Sequence, residues 1–270
     1  MATEVQAKAV LQAFGEQLTV PASNGTKTVF NRRRGYDGIL IEPAAAMRLG
    51  FPPALEEVWV RSGAGVWRDI LAGRKQGNAN LSGSEAQTVV ERGFTGQSLA
   101  LLATDRLYLG FKRKVNDLFV DIGSTANATA SVLTCENSNT AGFAALTITD
   151  GTDCGGATFA TDGNITFTVP AGIGWTPRVL RHLFPGEPSA PPDNLFWLRF
   201  AVSVALDAGT LVDQIAGFIE TDGAGTNSGH TVFLNAGVEY YIRLHGDVGA
   251  IQPIAQAAAA TTANVSWVRS

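Results

Sequence analysis

The sequence has little charge, few cysteines and few histidines. Only 16% of its 270 residues are charged, against about 25% in an average soluble domain. The 2 cysteines are too few for the disulfide framework that holds a small secreted domain together. The sequence contains no unbroken apolar run of about 18 residues, so it predicts no membrane-spanning helix. The first 18 residues lack the apolar core of a signal peptide, so we expect no secretion by that route.

The sequence also lacks the common catalytic and cofactor-binding motifs. None of its 3 histidines has another histidine or a cysteine at metal-ligand spacing. It contains no HExxH motif, phosphate-binding loop, dinucleotide fingerprint or nucleophile elbow. We therefore expect a protein that is not an enzyme and that uses no cofactor.

What the sequence does contain is enough apolar residues for a core and an uneven charge distribution. Hydrophobic residues make up 45% of the chain, which excludes disorder for most of it. Residues 1–115 carry 15 basic and 10 acidic residues, whereas residues 116–270 carry 5 and 14. A basic N-terminal part could dock on an acidic partner surface, or the asymmetry could be chance in a two-part protein.

Apolar residues recur with a period of two along most of the chain. Leu118, Val120 and Ile122 alternate with polar or aromatic neighbours, and Phe196 to Val204 form the longest such series. Short alternating segments at roughly ten-residue spacing, separated by turn residues, are typical of β-sandwiches and jelly rolls. We predict an all-β fold of such modules. Its parts are an N-terminal arm (1–34), a β-rich region (35–103), a central sandwich (104–206) and a C-terminal β-region (207–270) that could complete the N-terminal domain.

The predicted arm is expected to become ordered on a neighbouring protein. Its own burial is too small to offset a backbone entropy of about 1–2 kcal/mol per residue. The candidate interface residues are three apolar anchors and an arginine run: Leu11, Phe14, Leu18, Arg32, Arg33 and Arg34. The alternatives are that the arm packs on its own domain, that the arginine run is a solvated turn, or that it contacts nucleic acid.

Two further candidate sites lie in the central region. Cys135 is in phase with core-facing Leu133, and Cys154 follows the next strand, so a disulfide could close if those strands pair. The alternative is two buried free thiols. Asp150, Asp153 and Asp162 lie among glycines, where aspartate and glycine are typical turn residues, although such a loop could also supply oxygen ligands to calcium.

Aromatic residues suggest either interfaces or sugar platforms. Trp59 and Trp197 are out of phase with the apolar faces of their strands, which predicts a second buried face or an interface. Tyr240 and Tyr241, with Arg243 nearby, are the best candidates for binding a glycan.

The central region contains four segments with a shared character: DRLYLGF (105–111), DLFVDIGSTANATAS (117–131), LTITDGTDCGGATFATDGNITFTVP (146–170) and LFWLRFAVSVALDAGT (195–210). Together they span about 100 residues and resemble a β-sandwich module that is common in virion proteins of tailed phages and related prophages. Residues 232–237 and 264–269 also look like the closing strands of jelly rolls in phage fibre and decoration proteins.

The resemblance implies a structural virion protein, either head-decorating or tail-associated. We expect a capsid decoration protein that assembles in the host cytoplasm, binds the major capsid protein and self-associates as a trimer. We expect no nucleic-acid or membrane partner. The alternative is a tail or fibre protein that binds host surface glycans.

Overall fold

The chain folds into two units built almost entirely of strands. The computed structural model describes residues 13–20, 30–31, 36–51, 55–70, 93–115, 117–218, 231–244, 250–255 and 259–268. Unit 1 combines Met1–Phe51 with Thr221–Ser270, and unit 2 is Pro52–Glu220. Beside its strands, the described part contains a 3₁₀ turn at Gly172–Gly174 and a four-residue helix, α1, at Leu180–Leu183. The prediction of an all-β fold is confirmed.

The strands of unit 1 come from both ends of the chain, and those of unit 2 come from its middle. Unit 1 begins with β1 (Ala13–Val20), β2 (Phe30–Asn31), β3 (Gly38–Pro43) and β4 (Met47–Gly50). Unit 2 contains β5 (Leu55–Arg61), β6 (Trp67–Asp69), β7 (Gly93–Ser98), β8 (Arg106–Phe111), β9 (Asp117–Ile122), β10 (Leu133–Asn139), β11 (Gly142–Leu146), β12 (Ile148–Asp150), β13 (Gly163–Phe167), β14 (Arg178–Val179), β15 (Asn194–Val202) and β16 (Leu211–Phe218). Unit 1 is completed by β17 (Thr231–Leu234), β18 (Tyr240–Arg243), β19 (Ala250–Ala255) and β20 (Thr261–Val268).

Unit 1 has the strand order of a jelly roll. One sheet runs β1-β20-β3-β18 and the other runs β17-β4-β19-β2. Lettering these eight strands B to I in chain order gives B-I-D-G and F-E-H-C, the two four-stranded sheets of the eight-stranded jelly roll. The connection between its fourth and fifth strands contains the whole of unit 2.

A single apolar cluster fills the space between the two sheets of unit 1. Ile39 and Trp267 come from one sheet, and Met47, Leu49 and Ile251 come from the other. Ile39 and Trp267 belong to strands in which buried residues alternate with more exposed ones, because side chains of a strand point to opposite faces in turn. The alternation found in the sequence therefore assigns the core faces of this unit.

The prediction of an N-terminal arm is wrong for residues 13–20. These residues form β1, which pairs along its whole length with β20, from Ala13 opposite Val268 to Val20 opposite Thr261. Leu18 and Val20 are buried in the core of unit 1. The pairing partner lies at the far end of the chain. The local sequence therefore cannot show the apolar burial that offsets the entropy cost of ordering residues 13–20. Leu11 and Arg32–Arg34, and the side chain of Phe14, lie outside the described residues.

Removing unit 2 is expected to leave a folded jelly roll. β4 ends and β17 begins side by side, since Gly50 is opposite Thr231 in the ladder that joins them, so a short hairpin loop can replace residues 52–230. We expect the shortened chain to unfold cooperatively with a β-type circular dichroism spectrum. A chain without structure would show instead that unit 1 depends on the insertion.

Unit 2 is a sandwich of two antiparallel sheets. The larger sheet runs β11-β10-β15-β8-β5-β6, with β14 added beside β15, and the smaller runs β12-β13-β9-β16-β7. Their inner faces meet in one apolar cluster, which includes Leu109 and Phe200 from the larger sheet and Val120 and Ile165 from the smaller. The position of this sandwich agrees with the predicted central module.

The unit boundaries differ from the predicted domain boundaries. β5 lies beside β8, and β7 and β16 extend the smaller sheet, so these strands, which lie outside the predicted module at 104–206, belong to the sandwich. The charge asymmetry between residues 1–115 and 116–270 does not follow the units. Unit 1 holds 8 basic and 7 acidic residues and unit 2 holds 12 and 17, so neither unit as a whole carries the basic excess of residues 1–115.

Candidate functional site

Among the described residues of unit 1, the large exposed apolar side chains all lie in the stretch Val232–Arg243, which we call the edge segment. It contains β17 and β18, which are terminal strands of the two jelly-roll sheets. It exposes four large side chains: Val232, Phe233, Val238 and Tyr241. Edge strands with exposed apolar side chains are surfaces at which another chain can bind. The edge segment is therefore the leading candidate for an interaction surface in this unit.

Side chains of β18 point alternately to the two faces of the sheet, so the residues of the predicted glycan site lie on different faces. Tyr240 and Ile242 are half-buried against the core of unit 1, and the Tyr240 hydroxyl accepts a hydrogen bond from the Asn235 backbone amide at 2.9 Å. Tyr241 and Arg243 are exposed on the opposite face. The structure therefore brings Tyr241 and Arg243 together and gives Tyr240 a structural role in the preceding turn.

The Tyr241 ring lies across Gly38 on the neighbouring strand β3. A Cβ atom placed on Gly38 would lie 2.8 Å from the Tyr241 Cε2 atom. The ring is thus held against the backbone of the sheet while 52% of the residue stays exposed. An aromatic side chain held in this way loses little conformational entropy when a partner covers it.

The outer face of the larger sheet in unit 2 carries a second aromatic core. Trp67, Tyr108 and Phe184 stack around one another with ring centroids 4.9–6.3 Å apart. Trp197 is fully buried in the same cluster, under the segment that contains β14 and α1. Trp59 packs against it in part. The out-of-phase tryptophans therefore line a second buried face within the unit.

Two ion pairs border this aromatic cluster. Glu187 accepts hydrogen bonds from the Trp67 indole at 2.6 Å and from the Arg61 Nε at 2.8 Å. The Arg61 guanidinium holds the pKa of the Glu187 carboxyl below its usual value, and burial raises the pKa of Tyr108. Arg199 pairs with Glu136 on the adjacent strand and lies over the Phe143 ring, 4.2 Å from its centroid. Glu187 follows α1, so its bonds tie the segment after β14 to the sheet, whereas Arg199 and Glu136 join two neighbouring strands of the sheet.

A groove at the edge of the sandwich is lined with threonine. It has a volume of about 620 Å³ and is formed by Leu146–Thr149 and Thr166–Thr168, where the chain passes from one sheet to the other. Thr149 lies opposite Thr166 in the β12–β13 ladder, and Phe167 supplies an aromatic ring. The groove lining holds hydroxyl groups and no charged side chain, so it suits a neutral polar ligand.

The three aspartates of the predicted calcium site point to different local partners. Asp150 accepts hydrogen bonds from the hydroxyls of Thr152 and Thr158, both at 2.6 Å. Asp153 accepts from the Gly156 amide at 3.1 Å, and Asp162 accepts from the Ile122 amide at 2.8 Å. Within the described residues, no three acidic, histidine or cysteine side chains converge on a possible metal site. The local hydrogen bonds of the three aspartates favour the turn interpretation over a calcium site, which stays a prediction.

The predicted disulfide between Cys135 and Cys154 is absent, and both thiols are free. The premise that their strands pair fails, because β10 lies between β11 and β15 while β12 lies beside β13 in the other sheet. Cys135 faces the core between the sheets, where burial raises the pKa of its thiol. Cys154 lies exposed in the turn that follows β12, so the expectation of two free thiols is confirmed but the expectation that both are buried is wrong for Cys154.

We expect thiol labelling to distinguish these two cysteines clearly. A reagent such as iodoacetamide should modify one thiol per native chain, because only the thiolate reacts and Cys135 is both buried and held protonated. Cys154→Ser should abolish native labelling, and denaturant should restore one reactive thiol in that variant. Mass spectrometry counts the modified thiols. Labelling of both cysteines in the folded protein contradicts this assignment.

Comparisons with known proteins identify no relative: no family model matches the chain, and no curated protein matches its sequence. The described residues include no helix that is long and apolar enough to cross a membrane.

Proposed function

We propose that this protein is a non-enzymatic structural component of a tailed-phage virion, and that it decorates the capsid. The observation that carries the proposal is the architecture, a jelly roll whose fourth connection contains a complete β-sandwich. Jelly rolls recur in viral capsid domains, although a fold alone does not determine function. The resemblance of residues 105–210 to virion modules adds independent support.

The two-unit arrangement suits a decoration protein for a physical reason. A protein that stabilises a shell binds through several separate surfaces, so that weak contacts combine by avidity. Each contact gains about 25 cal/mol per Å² of apolar area buried. Unit 1 offers the apolar edge segment, while unit 2 has its own core and presents a separate surface. The major capsid protein is the expected partner.

Purified virions of the phage that encodes this chain test the proposal. We expect immunogold label over the head and a copy number in the hundreds, measured by quantitative mass spectrometry against the major capsid protein. Label confined to tails, or a few copies per particle, contradicts the capsid role and favours a tail protein. Absence from purified particles overturns the virion proposal as a whole.

The alternative function, glycan binding by a tail or fibre protein, has two observations in its favour. Tyr241 and Arg243 share an exposed face, and the groove beside Phe167 is lined with hydroxyl groups. Sugars bind where an aromatic ring lies beside polar groups. A glycan array tests this function, and the variants Tyr241→Ala and Thr166→Val would assign a positive signal to one surface. An array without signal removes the alternative.

A further inference from the structure

Among the described strands, β18 ends a sheet of the jelly roll and has no partner on its outer side. In the described part of the chain it pairs only with β3, from Tyr240 opposite Ile41 to Arg243 opposite Gly38. The Leu244 amide donates to the Asp37 carbonyl at 2.7 Å, which continues this ladder. Because hydrogen-bonded positions alternate in an antiparallel pair, Ile242 and Tyr240 also direct their backbone groups toward β3. The amides and carbonyls of Tyr241 and Arg243 therefore point away from the sheet.

The exposed side chains on β18 and just before it form an ordered row. Tyr241 and Arg243 share the outer face of β18, and Glu239, which is exposed, lies two positions before Tyr241, just before the strand begins. Tyr240 and Ile242 lie on the other face, against the core of unit 1. In chain order the three side chains are an acid, an aromatic ring and a base. They lie along the side of β18 that has no partner among the described strands.

This row is complementary to itself. If two copies of β18 align antiparallel about Tyr241, each Glu239 lies opposite Arg243 of the second copy, and the two Tyr241 rings lie side by side. Opposite charges and aromatic pairs in directly opposed positions stabilise an antiparallel ladder, whereas like charges destabilise it. The same alignment pairs the outward backbone groups of both strands.

We propose that two copies of this protein associate through β18, on a twofold axis that passes between the Tyr241 residues. The two four-stranded sheets then join into one eight-stranded sheet, and the same patch serves both copies, as in most homodimers. This inference does not depend on the proposed virion function. It differs from the trimer expected from the family resemblance, and it covers the Tyr241 ring that glycan binding would require.

Substitutions that reverse the charges at Glu239 and Arg243 test the interface in the whole protein. We expect sedimentation velocity to show a monomer–dimer equilibrium for the native protein. Arg243→Glu places two like-charged pairs in the ladder and should weaken the dimer at least about tenfold. The double variant Glu239→Arg with Arg243→Glu restores opposite charges and should recover dimerisation. A native protein that stays monomeric or forms trimers overturns the proposal, as does a double variant no better than Arg243→Glu.

A crosslink provides a second test that does not depend on charge. At a hydrogen-bonded antiparallel position the Cα atoms lie about 5.5 Å apart, within the range of about 4.4–6.8 Å that a disulfide spans. In a Cys154→Ser background, Tyr241→Cys should therefore form a covalent dimer on oxidation. The matched control is Val238→Cys, which is also exposed but would lie about 20 Å from its counterpart. Equal crosslinking of both variants, or of neither, contradicts the alignment.

Discussion

Replacing Gly163 by alanine is expected to destabilise unit 2 by more than about 3 kcal/mol, at the upper end of the effects of overpacking. Gly163 opens β13, and a Cβ atom there would lie 2.0 Å from the carbonyl oxygen of Gly151. The obstacle is a backbone atom, which no change of rotamer can move. A Cβ on Gly151 would in turn lie 2.5 Å from the Asn164 carbonyl oxygen. The two backbones can approach this closely only when both residues are glycine.

Neighbouring glycines provide the controls for this substitution. Gly155 has a positive φ of 68° and nothing within 4 Å of its Cβ position, so Gly155→Ala should cost only about 1 kcal/mol of conformational strain. Gly186 has open space and no positive φ, so Gly186→Ala should be nearly neutral. Urea denaturation measures all three. A Gly163→Ala cost no larger than that of Gly155→Ala would contradict the close approach.

The turns around these glycines can be predicted from the local sequence, but the structural reason for each glycine cannot. Aspartate and glycine predict turns, and the structure confirms this for Asp153, which accepts a hydrogen bond from the Gly156 amide. The reason for glycine differs from place to place. Gly155 and Gly156 have positive φ, whereas Gly151 and Gly163 do not and are needed because two backbones touch. A contact between residues 12 positions apart leaves no periodic signal.

Strand formation can be predicted from the sequence, but strand partnership cannot. Alternation is a local property, and it correctly identifies Leu118 and Val120 as core-facing in β9. The pairing of β1 with β20 joins Ala13 to Val268, so nearly the whole chain lies between the partners. The same limit explains why the local pattern predicts an arm at residues 13–20 and a disulfide between strands that do not pair.

The candidate site is predictable in part. Tyr240, Ile242 and Leu244 alternate, and this pattern already places Tyr240 on the core face, opposite Tyr241 and Arg243. Grouping both tyrosines in one site conflicts with that alternation. The free edge of β18 depends on which strand ends the sheet, and that property follows from the complete topology. The ion pair between Arg199 and Glu136 likewise follows from the β10–β15 register.

The phase of the tryptophans leaves a second buried face or an interface open, and the structure shows the buried face. Trp197 is the residue on which that face depends most. Its indole is fully buried and donates a hydrogen bond to the Arg178 carbonyl at 2.7 Å, which ties β14 to the sheet. Trp197→Ala removes this bond and leaves a large void, so we expect a loss of about 3–5 kcal/mol. Urea denaturation should show a lower midpoint with an unchanged slope.

A double-mutant cycle with Gly110 tests whether this loss comes from the void. A Cβ atom on Gly110 would lie 2.8 Å from the Trp197 ring and 2.7 Å from Leu195, so Gly110→Ala alone should destabilise the native unit. In the Trp197→Ala chain the added methyl group occupies space that the indole vacated. The double variant should therefore be more stable than the sum of the two single losses predicts, by about 0.5–3 kcal/mol. Strict additivity would show that Gly110 and Trp197 do not pack against each other.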